Sequence, residues 1–107
     1  VIGIDEAQFF DQSLVKVCNT LANNGQRIIV AGLDMDYQGN PFGPMPNLMA
    51  CAEEVKKVYA ICVETGNPAG YSYRKEEKKE LVLIGEKKEY EPLSRAVFIK
   101  RMNKRKF

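Results

Sequence analysis

Two short apolar segments that each end in acidic residues constrain the fold of this chain more than any other feature. Residues 1–4 are mostly β-branched and stop at Asp5 and Glu6, and residues 27–33 are equally apolar and stop at Asp34. Buried parallel strands are continuous apolar runs, and α/β proteins place their sites at the carboxyl ends of such strands. The two segments therefore predict parallel strands with acidic residues at one edge of the sheet.

A helical pattern connects the two predicted strands. Residues 11–24 carry apolar side chains at intervals of three and four, which indicates an amphipathic helix. Asp11 is the expected N-cap, and the Asn-Asn-Gly sequence at 23–25 is a stop signal. The predicted apolar face consists of Leu14, Val17, Cys18, Leu21 and Ala22. Residues 1–33 thus predict one β-α-β unit.

The pattern after residue 34 changes to loop, helix and short strands. Residues 34–46 are rich in Asp, Gly, Asn and Pro, which predicts a loop, and residues 46–54 predict a helix. Segments 55–63, 71–73 and 80–84 predict strands of a small antiparallel appendage.

The last ten residues hold five basic side chains and no acidic one, so we expect a solvated basic tail over residues 98–107. The chain is thus predicted to divide into an α/β core (residues 1–54), the small β subdomain (55–97) and the basic tail (98–107).

Composition excludes several classes of chemistry. The 107 residues suffice for one hydrophobic core and not for two. The absence of histidine removes Ser-His-Asp and Cys-His nucleophilic schemes and imidazole metal sites. A net charge of +2 gives no electrostatic case for nucleic acid or membrane binding. Three widely spaced cysteines argue against a disulfide framework and favour the cytoplasm.

Acidic and aromatic residues follow both predicted strands. An apolar strand that ends in Asp-Glu is typical of the second nucleotide motif of P-loop proteins. Phe9 and Phe10 follow the acids after Ala7 and Gln8, in the same predicted turn, where they fit either stacking on a base or packing in the core. Tyr37 and Phe42 follow the second strand and should reach the same edge of the sheet.

Residues 4–10 (IDEAQFF) and 32–43 (GLDMDYQGNPFG), followed by Cys62 and Tyr90, resemble the thymidine kinase family of many bacteria, animal cytosol and poxviruses. The resemblance extends from residue 1 to about residue 91. It implies an α/β fold with a partial P-loop-kinase-like parallel sheet and a small C-terminal lasso-type β subdomain. It also implies transfer of the γ-phosphate of ATP to the 5′-hydroxyl of thymidine.

The resemblance assigns roles residue by residue. Glu6 matches the general base for the 5′-hydroxyl, and Asp5 matches the acid that orients Mg²⁺. Ser72 stands where a threonine is frequent, and Tyr37 replaces a common phenylalanine. The residues that match positions around the nucleoside are Phe9, Leu33, Tyr37, Phe42, Ser72, Leu81, Leu83, Gly85 and Tyr90.

Two departures from the family concern zinc and the phosphates of ATP. The family binds zinc with two Cys-x-x-Cys pairs, but the corresponding segments here, 62–65 and 94–97, retain only Cys62. A lone thiolate cannot complete a tetrahedral zinc site, so we expect no zinc and a buried, apolar Cys62.

No Gly-x-x-x-x-Gly-Lys-Ser/Thr motif occurs in the sequence. We therefore expect a C-terminal portion that is inactive alone, or else a pseudo-enzyme.

Two other functions compete with the kinase. Helicase-type ATPases stimulated by nucleic acid also carry Asp-Glu-Ala-x after a strand, but the aromatic loop at 34–42 disfavours them. A noncatalytic fragment that binds nucleosides or mediates oligomerisation is the other alternative. For the kinase, the resemblance implies a cytoplasmic homotetramer whose partners are thymidine and ATP with Mg²⁺, with neither nucleic acid nor membrane.

Overall fold

The computed structural model describes residues 1–75 and 89–105. Along the chain these residues form β1 (Ile2–Ile4), a 3₁₀ turn (Ala7–Phe9), α1 (Ser13–Asn23), β2 (Ile28–Val30), α2 (Met45–Cys51), β3 (Ala60–Ile61), β4 (Pro68–Ala69), β5 (Tyr71–Arg74), β6 (Tyr90–Leu93) and α3 (Arg95–Arg105). None of the helices in these residues combines the length and the hydropathy that crossing a membrane requires. The chain divides into a first unit of Val1–Asp34 with Pro41–Lys56 and a second of Met35–Asn40 with Lys57–Phe107.

The first unit contains the predicted β-α-β element. Strands β1 and β2 pair in parallel, with Ile2 opposite Ile28 and Ile4 opposite Val30. Helix α1 makes the crossover between them, as a parallel connection requires. The predicted parallel pairing is confirmed, whereas a larger P-loop-kinase-like sheet stays a prediction.

The core of the first unit lies where α1 and α2 cover the strands. Its buried residues are Ala7, Leu14, Cys18, Met45 and Leu48. The buried stripe of α1 is narrower than predicted, because Val17 and Ala22 are exposed. The N-cap position is Gln12 rather than Asp11. The Asp11 carboxylate accepts hydrogen bonds from the backbone and hydroxyl of Ser13, and these bonds lower the pKa of Asp11.

The second unit contains the predicted antiparallel strands. Strand β3 pairs with β4, and β5 pairs with β6, both antiparallel. The strand predicted over residues 55–63 is wrong in extent, since only Ala60–Ile61 is a strand. The strand predicted over residues 80–84 lies outside the described residues.

Helix α3 occupies most of the segment that was predicted as a solvated tail, so that prediction is wrong up to Arg105. Val97 and Phe98 are buried, and Met102 packs against the same cluster. The Phe98 ring stacks on Tyr71 with 4.4 Å between ring centroids. Residues 98 and 102 lie one helical turn apart, so both side chains face the same cluster. Their packing on that cluster stabilises α3 despite the surrounding basic charge.

The two units have separate cores, so the prediction of a single core is wrong. The second core consists of Cys62, Ala69, Tyr71, Tyr73, Leu93, Val97 and Phe98. Tyrosine rings form much of it, and arginine side chains cover them: the guanidinium carbon of Arg105 lies 4.3 Å from the Tyr73 ring centroid. Large rings supply buried area that few residues could otherwise provide.

Replacement of Phe98 by alanine tests the role of α3. Phe98 is 3% exposed, whereas its neighbour Ile99 is 46% exposed. We expect Phe98→Ala to lower the free energy of unfolding by about 3–5 kcal/mol and Ile99→Ala by about 0.5 kcal/mol or less. Urea unfolding of the purified protein measures both. Equal losses in the two variants would contradict the packing of α3 on the second core.

Candidate active site

The loop after β1 holds Glu6 in an unusual backbone conformation. Glu6 has φ 52° and ψ 42°, and it is the one non-glycine residue with positive φ among residues 1–75 and 89–105. Its N–H lies 2.9 Å from Oδ1 of Asp5, and the next residue, Ala7, donates to the carbonyl of Ala31 over 3.1 Å. Residues held in such conformations cost about 1–3 kcal/mol and cluster at functional sites. The loop thus orients two exposed carboxylates at the carboxyl end of β1.

Gln8 connects this loop to the end of β2. Its side chain is 2% exposed, and its Nε2 donates to Oε2 of Glu6 over 2.6 Å. Its Oε1 accepts the backbone N–H of Leu33 at 3.0 Å. No role was predicted for Gln8. The only available signal was a polar residue among apolar ones in a loop that follows a buried strand.

Apolar side chains lie on the same unit as these carboxylates. Phe9 and Phe42 pack edge to face, with 5.6 Å between ring centroids and perpendicular planes. Phe9 is 54% exposed and Leu33 is also exposed, so neither is buried in the core. The Phe42 N–H donates to the carbonyl of Asp34 over 3.0 Å, which holds the ring beside the strand end. A flat apolar ligand would find accessible ring surface here.

Three other residues that were predicted to surround the nucleoside belong to the second unit, namely Tyr37, Ser72 and Tyr90. The guanidinium carbon of Arg74 lies 3.7 Å from the Tyr37 ring centroid and 5.6 Å from that of Tyr90. Its Nη2 also donates to the Tyr90 hydroxyl over 3.1 Å. Ser72 pairs with Pro92 in the β5–β6 ladder. Arg74 therefore brings Tyr37 and Tyr90 together through cation–π contacts.

Arg74 itself was not predicted to belong to a site. It is 1% exposed, although it begins a run of charged residues, 74–79. The tyrosines on neighbouring elements explain this burial, and a single sequence does not show that they converge. Leu81, Leu83 and Gly85 lie outside the described residues.

The acidic residues at the end of β1 fit a Mg²⁺ ion that takes most of its ligands from water and substrate phosphates. Residues 1–75 and 89–105 contain no group of three or more His, Cys, Asp or Glu side chains that could hold a metal ion. Mg²⁺ commonly takes one or two carboxylates and completes its shell with water and substrate phosphates. Asp5 is an exposed carboxylate at a strand end and suits that role. The expected absence of zinc stays a prediction.

Cys62 is buried in the second core as predicted, but hydrogen-bond donors also face its sulfur. Burial raises the pKa of its thiol, yet hydrogen bonds from the Thr65 hydroxyl and from the backbone of Ser94, Glu64 and Thr65 lower that pKa to about 6. Thr65 and Ser94 stand at two of the positions where the family resemblance implies zinc-binding cysteines. Hydrogen bonds to the sulfur of Cys62 therefore still bring segments 62–65 and 94–97 together.

Comparison with known proteins identifies relatives over nearly the whole chain. The family model described as thymidine kinase matches residues 1–98. A thymidine kinase of Bacteroides thetaiotaomicron is 59% identical over 100 residues, which cover 94% of this chain and 50% of that protein. A thymidine kinase of Porphyromonas gingivalis is 53% identical over 94% of this chain and 49% of its own length. The chain spans about half the length of the curated relatives it matches.

Replacement of Gly43 by alanine tests how tightly the loop around Gln8 is packed. Gly43 has φ 51°, and a Cβ there would lie 2.4 Å from the backbone oxygen of Gln8. Gly25 is a matched control, because its φ is 90° but nothing lies within 4 Å of its added Cβ. We expect Gly25→Ala to lose about 1–2 kcal/mol of unfolding free energy from backbone conformation alone, and Gly43→Ala to lose more. Equal urea midpoints for the two variants would contradict the close packing.

The lowered pKa of Cys62 predicts a pH dependence of stability. Because the pKa falls from 9.0 to about 6 on folding, the thiolate stabilises the folded state fully above pH 9. That contribution decreases as the pH falls and is lost below about pH 6. Urea unfolding should therefore show a gain in stability from pH 6 to pH 9 that Cys62→Ser reduces. The exposed Cys51 is the control, and an equal reduction in Cys51→Ser would refute this assignment.

Proposed function

This chain belongs to the thymidine kinase family, and on that premise we propose that it carries the general base and much of the nucleoside pocket of a thymidine kinase. The observation that carries the proposal is the Glu6 carboxylate, held by Gln8 in a loop whose next aromatic side chain, Phe9, is exposed. A base for a hydroxyl group needs an accessible carboxylate with a defined position. The chain covers half of its relatives, so the activity is proposed for the protein at their length.

The proposed reaction transfers the γ-phosphoryl group of ATP to the 5′-hydroxyl of thymidine. The Glu6 carboxylate accepts the hydroxyl proton as the 5′-oxygen bonds to the γ-phosphorus, and the bond from that phosphorus to the oxygen of ADP breaks. Phosphoryl transfer depends mainly on positioning and charge compensation, which one oriented carboxylate supports. Asp5 would hold Mg²⁺, which when bound neutralises charge on the phosphates.

The nucleoside would lie against the apolar residues beside Glu6. Phe9, Phe42 and Leu33 offer ring and aliphatic surface, which supports stacking on a flat base but distinguishes one base from another only weakly. Tyr37, Tyr90 and Ser72 are proposed to complete the contacts with base and sugar. By the family resemblance, we propose that the backbone at about Leu81, Leu83 and Gly85 forms hydrogen bonds with the base.

The assembly and location are also proposed from the family. We propose a cytoplasmic homotetramer that binds neither nucleic acid nor membrane. The basic side chains of α3 support the absence of nucleic acid, because several already have partners within the second unit. Arg101 pairs with Glu64 at 2.8 Å and Glu91 at 3.5 Å, and Arg105 donates to the carbonyl of Lys75 over 2.8 Å.

A noncatalytic nucleoside-binding protein is the second candidate function. The observation that favours it is the exposed ring of Phe9 packed against Phe42, because such a surface can bind a flat base without any group that transfers phosphate. Family membership favours both candidates over a helicase-type ATPase. Turnover separates them, since the binding protein would hold thymidine without consuming ATP.

Replacement of Glu6 by glutamine tests the proposed base in the protein at the length of its relatives. We expect thymidine affinity, measured by calorimetry, to change less than about threefold, because the amide keeps the shape of the side chain. Turnover should fall about 10²–10⁴-fold, the usual contribution of a general base. Glu54→Gln, at an exposed position in the same unit, should keep normal turnover.

Each contrary outcome has a distinct meaning. Unchanged turnover in Glu6→Gln would remove Glu6 as the base. A wild-type protein that binds thymidine and never phosphorylates it would favour the noncatalytic candidate.

A further inference from the structure

Gln8 is a buried polar side chain that joins the carboxylate of Glu6 to the backbone N–H of Leu33, in the segment after β2. We infer that Gln8 is a positioning residue: its amide holds the Glu6 carboxylate in the orientation needed for proton transfer and ties that orientation to the wall of the nucleoside pocket. This inference rests on the proposed function and deepens it. Glu6 remains the catalytic residue, and Gln8 acts through it.

The hydrogen bonds leave the Gln8 amide a single orientation. The backbone N–H of Leu33, 3.0 Å away, needs an acceptor, so the Gln8 oxygen must face it. The carboxylate of Glu6, 2.6 Å away, needs a donor, so the Gln8 NH₂ group must face it. A flipped amide would break both contacts at once. The contact with Glu6 is charge-assisted and therefore the stronger of the two.

The surroundings hold the Gln8 side chain in place. A Cβ on Gly32 would lie 2.9 Å from Gln8 Oε1 and 2.8 Å from the sulfur of Met45, so the chain passes close to the amide there. Gly43 approaches the backbone of Gln8 in the same way. An exposed glutamate samples many rotamers, and a rigid partner restricts Glu6 to those that keep the 2.6 Å contact.

The same amide links the base to the pocket wall. The Leu33 N–H that Gln8 accepts belongs to the residue before Asp34, and the carbonyl of Asp34 accepts the N–H of Phe42. A nucleoside that contacts Leu33 or Phe42 would therefore touch the segment on which Gln8 is anchored. Displacement of that segment would displace the Glu6 carboxylate, and misplacement by about 1 Å costs on the order of 100-fold in rate.

Two variants of Gln8 test the inference in the protein at the length of its relatives. Gln8→Met keeps the length of the side chain but loses both hydrogen bonds. We expect kcat for thymidine to fall on the order of 100-fold while KM changes less than about threefold. Gln8→Glu keeps an acceptor for the Leu33 N–H. It therefore still tests the inference if the methionine variant fails to fold.

Gln8→Glu also gives a readout that a merely structural role would not move. It places a second carboxylate against Glu6, with Asp5 as the adjacent acid in the loop, and two such groups share a proton until the pH rises. We expect the acid limb of its kcat-against-pH profile to shift to higher pH by about one unit or more relative to wild type. The matched control is Gln12→Glu, because exposed Gln12 donates to the carbonyl of Gly43 and makes no contact with Glu6.

The outcomes separate this inference from the proposed function. A fall in kcat for Gln8→Met, with a shifted profile for Gln8→Glu and not for Gln12→Glu, supports it. An active wild-type protein with normal kcat in Gln8→Met, an unmoved profile in Gln8→Glu, or the same shift in Gln12→Glu overturns the inference alone. A wild-type protein that does not phosphorylate thymidine overturns the proposed function and this inference with it.

Discussion

The backbone pairing of β1 with β2 sets the position of every candidate residue in the first unit. The ladder continues past the ends of the strands, because Ala31 donates to the carbonyl of Ile4 and then accepts from Ala7. That continuation brings the turn after β1 beside residues 31–33. Gln8 can reach the Leu33 N–H only because of this register, and a shift by one residue would separate the turn after β1 from residues 31–33.

The parts of the fold that were predicted correctly depend on local pattern. Continuous apolar runs that end in acids identified β1 and β2, and the three- and four-residue spacing identified α1. Family resemblance, rather than physical pattern, named Glu6 and its expected role. The aromatic pair Phe9 and Phe42 was assigned to the pocket in the same way, and its edge-to-face contact was not visible in the sequence.

The features that were missed depend on contacts between distant segments. Gln8 and Arg74 look like ordinary loop residues, and each is buried because partners from another part of the chain converge on it. Helix α3 was hidden by its basic charge, although Phe98 and Met102 lie one turn apart. Cys62 looked like a neutral core residue because the hydrogen-bond donors at Thr65 and Ser94 come from two segments. A single sequence records the residue types, but not these convergences.

The left-handed backbone of Glu6 has a consequence for the evolution of such a chain. Glycine adopts this conformation without steric cost, so stability alone favours glycine at position 6. A carboxylate there lowers the free energy of unfolding but gains a fixed location at the carboxyl end of β1. Selection for thermostability without selection for turnover should therefore erode this position early, whereas Leu14 in the core would be retained.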